Sequence, residues 1–234
     1  MKKGDIKRNS ILKAAETLFF ERGFERTSIQ DILDALSLSK GGFYHHFPSK
    51  EAILEEICVS YVEKRFERLN GELHGGRLSP VEKLNTLLRR TNLISQDRPQ
   101  FVALVMKHCY INGDVRLRDH LRSTIATRIR AHLSDVIQEG ISSGDFFVRH
   151  PGQVGEIILS LVCDADDRVC RTLCANADSP ECLIDVAELL EAYRDAVETI
   201  LNAQHGTIEL VNMERFVNDY RDAAASLLEM EERK

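Results

Sequence analysis

The sequence is poor in aromatic side chains: Phe, Tyr and Trp make up 6% of its 234 residues, and Trp is absent. That scarcity disfavours an aromatic cage around a large organic cation, which needs several such rings. Long hydrophobic runs are missing too, and the longest, near Ile157, is far too short to span a bilayer. The chain opens on a charged segment rather than a targeting signal. We therefore expect a soluble, cytoplasmic protein with no membrane partner.

Motifs of catalysis are absent as well. The sequence contains no nucleophile elbow, phosphate loop, paired-carboxylate motif or HExxH pair. His108, His120 and His132 do not have the spacing of metal ligands. The sequence therefore predicts a protein that is not an enzyme and has no cofactor and no metal site.

The six cysteines do not form the dense framework of a small secreted domain, and no CxxC pair occurs, so we expect reduced thiols. Cys163, Cys170 and Cys174 recur at spacings of seven and four, which places them on one face of a helix. They either sense redox state or a metal, or fill a helix interface as small hydrophobic side chains.

Charge is unevenly distributed along the chain. Residues 1–50 hold nine Lys and Arg against six Asp and Glu, a net charge of +3, which leaves −9 for the remainder of a chain whose total is −6. A basic N-terminal part on an acidic remainder fits a nucleic-acid-binding head whose larger partner domain stays away from the phosphates.

The stretch from Thr27 to Lys50 has the pattern of a helix-turn-helix. Thr27 is expected to cap the first short helix, with Gln30 at the capping-box position, and Ser37 with Leu38 forms the turn. Ser39 is expected to cap the second helix. Apolar side chains at helical spacing give both helices a buried face: Ile29, Ile32, Leu33, Leu36, Phe43 and Phe47. The second helix of such a unit enters the DNA major groove.

The side chains of the second helix suit that task. Gly41 and Gly42 stand at its N-terminus, where backbone amides without a neighbouring side chain can approach phosphates or base edges closely. The polar side chains nearby are phosphate or base-edge partners by type: Lys40, Tyr44, His45, His46 and Lys50. Lys50 also begins the next helix, where its ammonium and the helix amides together can hold a phosphate.

The segment LSKGGFYHHFPSKEAIL, preceded by RTSIQDIL, resembles the DNA-binding signature of the tetracycline-repressor (TetR) family of bacterial transcription regulators, from about Lys7 to Leu54. Ser37 departs from the pattern, because the family usually has glycine in the turn. The resemblance implies that Phe43 and Phe47 are core residues. It also implies a DNA-contact set, to which the chemistry above adds Gly42: Thr27, Ser39, Lys40, Gly41, Tyr44, His45, His46 and Lys50.

The remainder of the chain has helical periodicity throughout, so we predict an all-α fold. A three-helix helix-turn-helix head at residues 1–50 precedes a larger ligand-binding and dimerisation domain at residues 51–234. A connecting helix at residues 49–69 begins at a predicted phosphate contact and ends under the larger domain, so it is expected to transmit movement between the two. A glycine-rich polar break follows it at residues 70–79.

Two late helices, one beginning at Pro151 and one at Glu181, are apolar over a wide arc and need more than one partner. Packed on their symmetry mates they would form a four-helix bundle, which predicts a homodimer and a palindromic DNA operator. The predicted interface residues are Ile157, Ile158, Leu161, Leu190, Tyr193 and Val197.

The family resemblance implies a ligand-responsive regulator, most simply a repressor that a small-molecule effector releases from DNA. Five polar residues of the larger domain are the candidate effector contacts: His108, Cys109, Asn112, Asp164 and Arg168. The acidic interruption at Asp164, Asp166 and Asp167 fits a ligand pocket, a solvated face or an ion network at the dimer interface. The alternative function is a helical homodimer that senses thiols or a metal, or that binds other proteins.

Overall fold

A computed structural model of the chain describes residues 3–74, 78–92, 94, 98–175 and 181–232. The described residues form α-helices and one π-helix, with no strand among them, so the all-α prediction is confirmed. The α-helices are α1 (Lys3–Arg22), α2 (Ile29–Leu36), α3 (Lys40–Tyr44), α4 (Lys50–His74), α5 (Pro80–Thr91), α6 (Pro99–Val105), α7 (Val115–Ser143), α8 (Pro151–Ala175), α9 (Cys182–Leu201) and α10 (Met213–Glu232), and the π-helix is Met106–Ile111.

The head consists of α1, α2 and α3, and its helix-turn-helix differs in one cap from the predicted form. Ser28, not Thr27, caps α2: its hydroxyl accepts a hydrogen bond from the Asp31 amide, and the Asp31 carboxylate accepts one from the Ser28 amide. The capping box thus lies one residue later than predicted, with Asp31 in place of Gln30. Hydrogen bonds to Ser28 lower the pKa of the Asp31 carboxyl. The charged carboxylate also suits this position, because the N-terminus of a helix carries a partial positive charge.

Ser37 ends α2 in the left-handed conformation, with φ of 50° and ψ of 44°. Few residues with a Cβ adopt that region. Ser37 therefore makes the turn with some backbone strain, whereas a glycine would make it without strain. Beyond the turn, Phe43 and Phe47 are buried against the head's core, as predicted.

A single 25-residue helix, α4, leads out of the head. It continues to His74, past the break predicted after residue 69, because Leu73 is buried and its packing outweighs the weak helix propensity of Gly71. The remainder of that predicted break includes residues outside the described ones. The proposed domain boundary at residues 50/51 falls at the start of α4 and stays a prediction.

The body is built around α7, which packs on α4, α5 and α8. Its buried row follows the predicted spacing of four: Leu117, Leu121, Ile125, Ile129, Leu133 and Ile137. Near its end, Gly140 lies under the Phe146 ring, where a Cβ would stand 2.0 Å from a ring carbon. α8 packs on α9, and α10 packs on α6. None of the described helices is long and apolar enough to cross a membrane.

Candidate DNA interface and effector sites

The outer surface of α3 carries most of the predicted DNA-contact residues. The Ser39 hydroxyl accepts a hydrogen bond from the Gly42 amide at 3.2 Å, which fixes the start of the helix. The Tyr44 side chain is 52% exposed and lies edge-on against the buried Phe43 ring. His46 is half-buried, and the other predicted residues of this surface are exposed: Ser39, Lys40, Gly41 and His45.

The two glycines of α3 lack a side chain for different reasons. A Cβ on Gly42 would come within 3.1 Å of Leu38 Cδ1, so internal packing alone favours glycine there. A Cβ on Gly41 would meet nothing within 4 Å. Because glycine weakens a helix by about 1 kcal/mol relative to alanine, its presence at an open, exposed position is consistent with close approach by an external partner.

Two members of the predicted DNA-contact set turn inward. Thr27 has no exposed side-chain surface, and its hydroxyl donates to the Gly23 carbonyl at 2.8 Å and lies 3.3 Å from the Leu18 carbonyl. Its predicted side-chain contact with DNA is therefore wrong for this conformation: it is a core residue that ties the turn between α1 and α2.

Lys50 is the second of these residues. Its ammonium donates to the Phe24 carbonyl at 2.7 Å and lies 4.0 Å from the centroid of the Phe24 ring. In this conformation the Lys50 ammonium is therefore not free to contact a phosphate. Beside it, at the N-terminus of α4, the Ser49 hydroxyl accepts a hydrogen bond from the Ala52 amide.

The five predicted effector contacts do not meet in one cavity. His108 and Cys109 are buried in the π-helix, and the His108 ring lies edge-on against Phe24 of the head, with centroids 4.5 Å apart. Asn112, just beyond the π-helix, is 3.4 Å from the Glu25 carboxylate of the head. These three predicted residues therefore belong to, or border, a contact between the body and the head.

Asp164 and Arg168 lie far along α8, where they pair with each other at 2.9 Å, and the Tyr193 hydroxyl of α9 donates to Asp164. Next to them, Asp167 is buried among arginines, 2.7 Å from Arg171 and 3.6 Å from Arg118. This acidic segment therefore forms an ion network within one chain, whereas the predicted network lay at the dimer interface.

A cleft of about 900 Å³ opens between the head and the body, and none of the five predicted effector contacts lines it. At its edge, three residues from three elements meet: the Tyr61 hydroxyl of α4 donates to Glu16 of α1, and Arg98, which precedes α6, lies 2.6 Å from the Tyr61 oxygen and 3.2 Å from Glu16. We call these residues the Glu16–Tyr61–Arg98 bridge. Burial, followed by the hydrogen bond to Glu16, raises the pKa of Tyr61 well above its ordinary value.

Sequence reasoning missed this bridge because its members lie 45 and 37 residues apart and no motif joins them. The one available signal was the placement of Tyr61 on an otherwise aliphatic row of the connecting helix. The Tyr61 ring also stacks on Phe101 of α6 at 4.5 Å, so it joins α4 to the body as well.

The predicted dimer residues fall into two groups. Ile157 is 49% exposed, and Leu161 and Tyr193 are half-buried, so these three remain at the surface of α8 and α9. Ile158, Leu190 and Val197 are buried in the core of their own chain, and their assignment to an interface is therefore wrong. The prediction failed there because two apolar rows on one helix cannot be told apart from the sequence alone.

The thiols are shielded rather than activated. Burial raises the pKa of Cys109 to about 12 and that of Cys163 and Cys174 to about 11, and the pKa values of Cys58 and Cys170 are raised by the same cause. Thiolates are the reactive form, so no observation favours the thiol-sensing alternative. Among the described residues, Asp195, Glu198 and His205 stand close enough to share an ion, but Glu198 already accepts hydrogen bonds from the Ile208 amide and His205.

Comparison with known proteins relates the head to a family of regulators. Residues 11–57 match the model of the bacterial regulatory proteins of the tetR family. The HTH-type transcriptional repressor KstR2 of Mycolicibacterium smegmatis is 29% identical over 140 residues, which cover 60% of this chain and 67% of that protein.

Solved structures share the fold at low sequence identity. A TetR-family transcriptional regulator from Pectobacterium atrosepticum superposes with a TM-score of 0.57 at 18% identity, over 86% of this chain and 98% of the other. A proposed transcriptional regulator from Saccharomonospora viridis, in complex with choline, superposes with a TM-score of 0.53 at 22% identity, over 83% of this chain and 96% of the other. Residues 11–57, which include the helix-turn-helix, thus match the bacterial regulatory proteins of the tetR family.

Proposed function

We propose that this protein is a transcriptional repressor that binds a palindromic operator as a homodimer and leaves it when a small molecule binds. One observation carries the proposal: the DNA-facing helix α3 presents an open backbone and exposed polar side chains, while the residues just behind it contact the body. Lys50 and Phe24 connect the head to His108, so a change in the body reaches the head through direct contacts.

DNA recognition in this proposal uses the N-terminal part of α3. Gly41 allows the backbone to approach the duplex, Lys40 neutralises a phosphate, and Tyr44 and His45 reach base edges or sugars. Thr27 and Lys50 support the head from within, as their internal hydrogen bonds require. A twofold dimer sets two copies of α3 about 34 to 36 Å apart, one turn of DNA, so the operator is a palindrome.

Release requires no chemical step. An effector that binds more tightly to a conformation with the wrong spacing of the two heads draws the population away from the DNA-competent state, with a coupling free energy of about 1 to 3 kcal/mol. The choline complex of a protein with the same fold supports a small molecule as the class of effector.

The test is the affinity of the purified protein for DNA fragments from around its own gene, measured by fluorescence anisotropy at several salt concentrations. We expect a palindromic site whose affinity falls steeply with salt. Lys40→Ala should weaken binding to all sequences and reduce the salt slope by about 0.9 for each phosphate that is no longer neutralised. Tyr44→Ala should weaken binding at the operator most.

The matched control is Lys83→Ala, which removes a body lysine paired with Glu139 at 2.6 Å and should leave DNA binding unchanged. If the Lys40 and Tyr44 variants bind the operator like the parent protein, the assigned docking of α3 is wrong.

A further inference from the structure

The cleft between head and body has the form of a binding site. It is bounded by α1, by α4, by the residues that lead into α6 and by the end of α10, and its volume of about 900 Å³ is in the range of small-molecule sites. Its position differs from the interior of the body, where we expected the effector to bind.

The wall of the cleft formed by α1 and α4 carries an apolar patch among polar side chains. Phe20 and Tyr61 stand edge to face with ring centroids 6.3 Å apart, and Leu12 and Ile57 continue the same surface. Phe20, Tyr61 and Leu12 are only half-buried, so a ligand that covers them gains hydrophobic stabilisation of about 25 cal/mol for each Å² of apolar surface removed from water. This wall suits an aromatic or hydrocarbon body.

Two lysines of the cleft are available to an anionic ligand, whereas the carboxylates that line the cleft already have partners. Its carboxylates are engaged: Glu56 pairs with Arg8, Glu16 pairs with Arg98, and neither Glu21 nor Glu229 is without a partner. Two lysines of the cleft differ from these paired carboxylates. Within the described parts of the chain neither Lys13 nor Lys64 forms an ion pair, and both side chains are exposed. Lys64 lies 5.9 Å from the Tyr61 centroid, at the edge of the apolar patch.

We propose that the cleft binds an amphipathic organic anion, a carboxylate on an apolar body, and that the ligand's carboxylate takes Arg98 from Glu16. This inference rests on the proposed function and names the effector's class and position. The apolar body covers Phe20 and Tyr61, while Lys13 and Lys64 hold the charged group. No covalent step is involved.

The exchange at Arg98 would act on DNA binding directly. Glu16 lies on α1 of the head, and Arg98 belongs to the body, so the ion pair between them is one of the ties that hold the head at its present angle. A ligand carboxylate that occupies Arg98 removes that tie and leaves the contacts of Phe24 with His108 and of Glu25 with Asn112. The spacing of the two heads in a dimer then changes.

Pyrenebutyrate serves as the probe, because it is a carboxylate on a flat apolar body and its fluorescence reports binding without DNA. We expect saturable binding to the full-length protein, weaker binding of the uncharged pyrenebutanol, and weakest binding of the cationic pyrenemethylamine. Lys13→Gln and Lys64→Gln should each weaken pyrenebutyrate binding roughly three- to fivefold, as expected for one exposed ion pair. Glu16→Gln should strengthen it, because Arg98 is freed from its competing partner.

Lys83→Gln is the matched control, and thermal melts establish that each variant is folded. Equal binding of the alcohol, tighter binding of the amine, or unchanged binding by both lysine variants overturns the anion assignment. Binding of the probe without any change in operator affinity overturns the link to Arg98.

The two proposals fail in different ways. A protein that binds its operator but not the probe keeps the proposed function and loses the cleft as an effector site. A protein that binds the probe but none of the DNA fragments keeps the site and loses the regulator.

Discussion

At Gly41, the effect of a substitution on DNA binding can be measured separately from its effect on folding. Its missing side chain serves no internal contact, since the space around it is open. Gly41→Ala should therefore leave the free energy of unfolding unchanged or raise it by up to about 1 kcal/mol, because alanine favours the helix. Operator affinity should nevertheless fall, because the added methyl group stands between the backbone and the duplex.

Urea unfolding and fluorescence anisotropy on the same preparation measure both quantities. Gly42→Ala is the comparison, because its Cβ would press on Leu38 at 3.1 Å and affect packing too. A Gly41 variant with full operator affinity would show that this surface does not approach DNA closely.

Thr27 is expected to show the opposite pattern, in which a substitution changes stability and not DNA affinity. Thr27→Val keeps the shape of the side chain but removes the donor that serves the Gly23 carbonyl. The loss of one buried hydrogen bond should lower the free energy of unfolding by about 1 kcal/mol or somewhat more, while DNA affinity of the folded protein changes little. Chemical denaturation and a DNA titration decide the matter, and normal stability with weak DNA binding would restore Thr27 to the contact set.

At the scale of elements, the π-helix is one part of the body that contacts the head. Its His108 is buried, and its Nε2 has no hydrogen-bond partner among the described residues. Burial lowers the pKa of His108, Lys107 and Lys50 act in the same direction, and Glu25 and Asp114 oppose them. The neutral imidazole is therefore the form that the folded protein favours.

A pH dependence follows from that preference. Since the unfolded chain takes up a proton at His108 near pH 6.5 and the folded chain does so only at lower pH, the contribution of this residue is present above pH 6.5 and is lost as pH falls below it. His108→Phe retains a ring against Phe24 and has no proton to bind. We expect the variant to lose less stability than the parent protein between pH 8 and pH 5.5, measured by urea unfolding.

His120 pairs with Glu55, and His205 pairs with Glu198, in both the parent protein and the His108 variant. The difference between their curves of stability against pH therefore isolates His108. Parallel curves for the parent and the His108 variant would contradict the assignment.

The helices themselves could be predicted because their apolar residues recur at helical spacing, as on α7. The caps were less certain: Thr27 and Ser28 are neighbours with the same hydroxyl chemistry, and only the fold decides which of them is buried. The π-helix could not be predicted, because no sequence pattern distinguished it from an α-helix, and the Glu16–Tyr61–Arg98 bridge could not, because it depends on how α1, α4 and α6 meet in space. For the same reason, the cleft proposed above as the effector site could not be predicted.

At the scale of the whole molecule, the surface around Ile157 is the candidate for self-association. Ile157 lies in an open groove with Ser160, Leu161 and Asp164, on a helix otherwise packed against α7 and α9. Ile157→Asp should preserve the monomer's fold, since half of this side chain is already exposed, and should place two charges in the interface of a dimer. We expect the dimer dissociation constant to rise on the order of 100-fold or more.

Sedimentation velocity measures the oligomeric state, and operator affinity should fall with it because two heads no longer bind together. Val115→Asp is the matched control, an exposed apolar residue of similar accessibility at the start of α7. An Ile157 variant that remains a dimer would move the interface to another surface.

The unbroken length of α4 determines how far the head moves when this helix tilts. At 1.5 Å per residue, its 25 residues span about 37 Å, so a tilt of about 5° at one end carries the other through about 3 Å. Hydrogen bonds to base edges tolerate only a few tenths of an ångström. In the proposed mechanism, an effector therefore needs to change the angle of this helix by only a few degrees to take α3 out of register with its half-site.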